Sequence, residues 1–133
     1  MFTMGFENLL ERIMDSDVNI RHSIVTDTEG SILATSHREG ITNFLSPEET
    51  AASLKRAASA WKARKELGPK IGKGLYAVAA FEKITRTTFP LGENNLIFVS
   101  LGSDAVRGDL HEGGQKQIVE HVLNILSGDP TKA

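Results

Sequence analysis

The succession of repeat lengths along the chain constrains its fold most. A helical period is followed by a tight pair of strand patterns, a long helical period, three strand patterns in a row and a last helical period, all within 133 residues. That order, α-β-β-α-β-β-β-α, points to a fold and to a way of associating. No cluster of residues points to a reaction.

Phe6, Leu9, Leu10 and Ile13 recur at i, i+3, i+4, i+7 with Glu7, Glu11 and Arg12 turned away, which predicts a first helix over about 5–14. The period then drops to two: Ile20, His22, Ile24 and Thr26 alternate with Arg21, Ser23 and Val25. Asp27-Thr28-Glu29-Gly30 turns the chain, because Asp bonds the backbone ahead of it and Gly accepts a positive φ. Residues 31–36 return as the second strand of the hairpin. Ser46-Pro47-Glu48-Glu49 is the clearest helix start, with a capping box, proline at the first helical position and two carboxylates at the positive end of the dipole. This helix should end near Leu67, at Gly68-Pro69. Ala51, Leu54, Ala58 and Trp61 form its inner stripe, and its other alanines leave room for a second backbone to approach. Residues 75–81, 84–89 and 96–101 read as three further strands, the last apolar on both faces and therefore central. Ile118, Val122, Ile125 and Leu126 share one face of the last helix, which Gly128-Asp129-Pro130 should end.

A chain of this length buries roughly two-thirds of the surface it exposes when unfolded, so one core needs no staples. The 40% hydrophobic and 24% charged fractions are those of an ordinary globular protein, and a net charge of -2 gives no global attraction to nucleic acid. Without cysteine there is no disulfide or thiolate chemistry. The first residues lack the basic region and apolar run of a secretory signal, and no apolar run approaches the ~20 residues that span a bilayer; the expectation is a cytoplasmic protein without membrane insertion.

Several tempting sites have plainer readings. Residues 68–74, Gly-Pro-Lys-Ile-Gly-Lys-Gly, have short spacing for a phosphate loop, no Ser or Thr after the lysine, and run from helix to strand; a helix terminator and linker is the better account. Arg107-Gly108-Asp109 reads as a polar turn. His22, His37, His111 and His121 lie on different elements with no pair at ligand spacing, so neither a metal nor a cofactor is expected. No nucleophile elbow and no placed carboxylate pair argues for catalysis. One cluster remains: Lys55, Arg56, Lys62, Arg64, Lys65, Lys70 and Lys73 make a basic strip with only Glu66 between them. It suits an acidic partner surface or phosphate groups, and without interleaved aromatics it does not suit stacking on single strands.

The element order resembles the Roadblock domain, the fold of the roadblock-type dynein light chains and of bacterial and archaeal partners of small GTPases. The resemblance covers about residues 5–127 and is carried by 24–34 (Ile-Val-Thr-Asp-Thr-Glu-Gly-Ser-Ile-Leu-Ala), similar to the family's first hairpin, and by 90–101, similar to its fourth turn and fifth strand. The basic second helix and Phe81-Glu82-Lys83-Ile84-Thr85-Arg86 are not general to the family and suggest an archaeal branch. The expected fold is α/β: a single antiparallel five-stranded sheet with helices on both faces, in one domain spanning 1–133. The resemblance implies strand order 2-1-5-4-3, first and last helices on one face, and the long helix on the other. It further implies a non-enzymatic scaffold or regulator that acts as a dimer and binds a small Ras-like GTPase. In the implied order the uncharged strand with Leu75, Ala77, Val78 and Ala79 lies at an edge, where something must cover it, so two copies should pair there. Lys55, Lys62 and Lys65, along one flank of the helix, are the candidate partner contacts. PAS-type sensor domains also use a strand, an Asp-x-x-Gly turn and a second strand, so a small-ligand sensor is the alternative reading. A nucleic-acid adaptor working through the basic helix is a further one.

Overall fold

Each period in the sequence becomes an element in the computed structural model, which describes residues 2–102 and 114–127. Helix α1 (Phe2–Ser16) precedes strands β1 (Ile20–Asp27) and β2 (Ile32–His37). Helix α2 (Pro47–Lys65) and a one-turn helix α3 (Gly68–Ile71) lead to β3 (Ala77–Ala80), β4 (Ile84–Leu91) and β5 (Asn95–Gly102), and α4 (Gly114–Ser127) closes the order. The strands form one antiparallel sheet in the order β2-β1-β5-β4-β3. Arg107-Gly108-Asp109, His111 and the stop signal at Gly128-Asp129-Pro130 lie outside the described residues.

Two cores flank the sheet because β1 and β5 are apolar on both faces. On one side Leu9, Leu10, Ile13 and Met14 of α1 meet Ile118, Val119 and Val122 of α4 over Val25, Phe89, Ile97, Val99 and Leu101. On the other, Leu54, Ala58 and Trp61 of α2 cover Ile24, Leu96 and Phe98. Ile20 corrects the simple alternation. Strict period two puts it on the face of His22 and Ile24, but a bulge between Ile20 and His22 turns it into the α1/α4 core.

Local chemistry explains the boundaries. Ser46 Oγ accepts from the Glu49 amide at 3.0 Å and Glu49 Oε1 accepts from the Ser46 amide at 2.9 Å, the reciprocal cap expected of this sequence. Arg38 closes the other end of α1, donating to the carbonyls of Met14 and Asp17 at 2.8 Å and of Ile20 at 3.1 Å. Gly68-Pro69 does not act as a plain terminator. Helix α2 ends at Lys65, and proline, which needs no donor in a first turn, starts α3 instead, until Gly72 at φ 94° ends it. Strand β3 is also shorter than the 75–81 expected, since Leu75, Tyr76 and Phe81 fall outside the ladder.

Candidate partner-binding surface

The hairpin turn brings the first hairpin onto α2. Asp27 Oδ1 accepts from the amides of Glu29 and Ser31 at 2.9 Å, and Gly30 adopts φ 88°. A Cβ on Gly30 would stand 2.7 Å from the Lys55 Cα, so only glycine lets the turn lie against this helix. Register then places Glu29 beside Lys62, and the two side chains form an ion pair. Within the basic strip itself Glu66 is the one counter-charge; a second carboxylate reaches it from a turn 33 residues away.

Lys55, Lys62 and Lys65 are all exposed. Lys62 and Lys65 line a cavity of about 520 Å³, whereas Lys55 sits beyond it next to Gly30. Ala58 and Trp61 complete the α2 wall. The opposite wall is the turn between β4 and β5, from Gly92 to Asn95, with Thr28 of the first turn beside it. Gly68, Lys73 and Gly74 close the third side. Gly74 lies flat on the indole: a Cβ there would meet the Trp61 ring at 3.1 Å. The segment read as a linker is therefore a wall of this cavity, and only this fold-level closure reveals it.

The proposed pairing strand stands open. Strand β3 bonds to β4 on one side and, among the described residues, to nothing on the other. Ala79 is exposed, Val78 is 39% exposed, and Leu75 (66%) and Phe81 (64%) flank them. Ala77 is half-buried against the α2 core.

Near the start of α2 the sheet assembles a polar cluster that spacing did not reveal. His22 and His37, on different strands as expected, are cross-strand partners with ring centroids 5.8 Å apart and stacked, a meeting that spacing along the chain does not show. His22 Nε2 lies 3.3 Å from Ser100 Oγ, while its Nδ1 is buried without a partner among the described residues. Burial, then His37, Arg86 and Arg21, pull the His22 pKa down to about 4. Arg86 donates to Ser53 Oγ at 3.0 Å, and burial lowers its pKa as well. Among the described residues no group of three or more His, Asp or Glu is placed to hold a metal ion, and no helix is long and apolar enough to cross a membrane.

Neither a family model nor a curated protein matches the sequence. Solved structures do. The Roadblock/LC7 domain from Streptomyces avermitilis superposes with a TM-score of 0.66 at 9% identity, covering 93% of each chain. The gliding protein MglB from Thermus thermophilus gives 0.64 at 17% identity, covering 94% of this chain and 90% of that one. Profilin II from Acanthamoeba castellanii gives 0.56 at 10% identity over 91% and 95%. Likeness at such identities is one of fold, and the presence of a profilin shows that the fold alone does not assign an activity. With strands in the order β2-β1-β5-β4-β3, α1 and α4 on one face and α2 on the other, this chain has the Roadblock fold.

Proposed function

We propose that the protein is a non-enzymatic scaffold or regulator that pairs with a second copy through β3 and, as a dimer, binds a small Ras-like GTPase. The observation that carries the reading is the open β3 edge. An uncharged strand with exposed Val78 and Ala79, flanked by exposed Leu75 and Phe81, presents unpaired backbone groups next to apolar side chains. Two such strands meeting about a two-fold axis make a closed, self-complementary contact and bring the two α2 helices together. The likeness to Roadblock/LC7 domains and to MglB supports a scaffold or regulator of this kind. The partner meets Lys55, Lys62 and Lys65 through an acidic patch. Charges at such a rim act mainly on association rate and its salt dependence.

Light scattering at high micromolar concentration should give twice the chain mass, and Ala79→Lys, at an exposed position, should give the monomer with its fold intact. A wild-type monomer there would refute the pairing. Isolation of bound proteins from native cells, followed by mass spectrometry, identifies the partner. Lys55→Glu, Lys62→Glu and Lys65→Glu combined should slow association with it at low salt and less so at high salt. Nucleotide hydrolysis by the purified chain, abolished by a point substitution, would overturn the non-enzymatic reading.

A further inference from the structure

We propose that the cavity between α2, the 68–74 segment and the β4–β5 turn binds a small organic phosphate, its phosphate held by Lys62, Lys65 and Lys73. Three ammonium groups from two elements border one space of about 520 Å³, and Glu93 is the single carboxylate among the lining residues. Glu29 answers the Lys62 charge from outside the cavity, and among the described residues Lys65 and Lys73 form no ion pair, Glu93 included. Cations converging on one pocket repel one another, and a bound anion relieves that repulsion. Lysine suits phosphate as a point-charge donor.

Size and lining argue for more than a bare ion. The volume falls within the roughly 300–1,000 Å³ typical of small-molecule sites, and far exceeds the ~30 Å³ that one water occupies in the liquid. Ala58, Trp61, Pro90 and Leu96 supply an apolar wall facing a carbon skeleton, and the side-chain amide of Asn94 and the hydroxyl of Thr28 add polar groups to the same space. Lys73 is not on a free tether. Gly74 packs directly on the Trp61 ring, which fixes the adjoining lysine at the cavity.

Trp61 is the chain's single tryptophan and borders the cavity, so its emission reports occupancy. Titration with adenosine 5′-monophosphate and with glucose 6-phosphate should give a saturable change for at least one of them, and adenosine and glucose should give none. Lys65→Glu and Lys73→Glu should each weaken that binding about tenfold or more, as loss of a charge-assisted contact does. Both side chains are exposed, so the variants should keep the wild-type fold, which circular dichroism checks. No saturable change with either phosphate up to about 1 mM, or unchanged affinity in both lysine variants, would overturn the proposal. Inorganic phosphate binding as tightly as the organic probes would overturn the organic part. Lys62 and Lys65 also belong to the proposed partner surface, but the site does not depend on that reading. Lys73→Glu should weaken the ligand response and spare partner association, whereas Lys55→Glu should leave the ligand response unchanged and slow partner association at low salt.

Discussion

Gly30 answers two demands at once, a left-handed backbone and contact with the Lys55 backbone, and neither tolerates a side chain. Gly30→Ala should therefore cost about 1–3 kcal/mol from backbone strain, with the clash against α2 in addition, measurable as a lowered urea midpoint. His22 sets a pH dependence of definite sign. Its pKa is about 4 in the fold against 6.5 for the free side chain, so between those values the unfolded chain takes up a proton that the folded chain refuses. Stability should be insensitive to His22 above pH 6.5 and fall as pH drops towards 4, by up to about 3 kcal/mol. His22→Asn should flatten that part of the curve in denaturation series across pH. The pairing of His22 with His37 could not be counted from the sequence. Strict register continued from the Thr26–Ile32 pair sets His22 opposite Ser36, and the bulge at Val25/Thr26 moves the register by one to bring His37 there.

At the scale of elements, α2 was the most legible, because capping chemistry and helical spacing are both local. Ser46→Ala removes one half of the reciprocal cap and should lower stability by about 1 kcal/mol. Trp61, 6% exposed on the stripe with Leu54 and Ala58, anchors the helix to the sheet. Trp61→Ala should cost about 3–5 kcal/mol, and native emission as red-shifted as in denaturant would contradict its burial. What the sequence concealed depends on partners distant along the chain. Gly68-Pro69 carries the same local signal whether a linker follows or a new turn begins, and the packing of Gly74 on Trp61 is what brings this segment against α2. The alternation of β1 was legible from Arg21 onward, yet Ile20 changed faces through a bulge fixed by its pairing with β5. The basic strip was visible as composition, but its division into a cavity wall at Lys62 and Lys65 and an outlying Lys55 was not.

For the whole molecule, the succession of periods anticipated the element order and the central place of β5, whereas strand order and helix placement were what the resemblance to the Roadblock domain implied. If β3 pairs with its copy, folding and association are linked. The thermal midpoint of the wild type should then rise with protein concentration, and that of Ala79→Lys should not. The two margins of the sheet differ in character. Strand β3 is short and flanked by Leu75 and Phe81, whereas β2 is longer, exposes Ile32, Leu33, Thr35 and His37, and departs from strict register beside its turn. A β3-to-β3 union joins two five-stranded sheets, uses up both β3 edges and leaves the different strand β2 at both outer margins. Assembly through β3 alone ends at a finite particle, and a change that lets β2 pair with its own copy as well would turn it into an open-ended polymer.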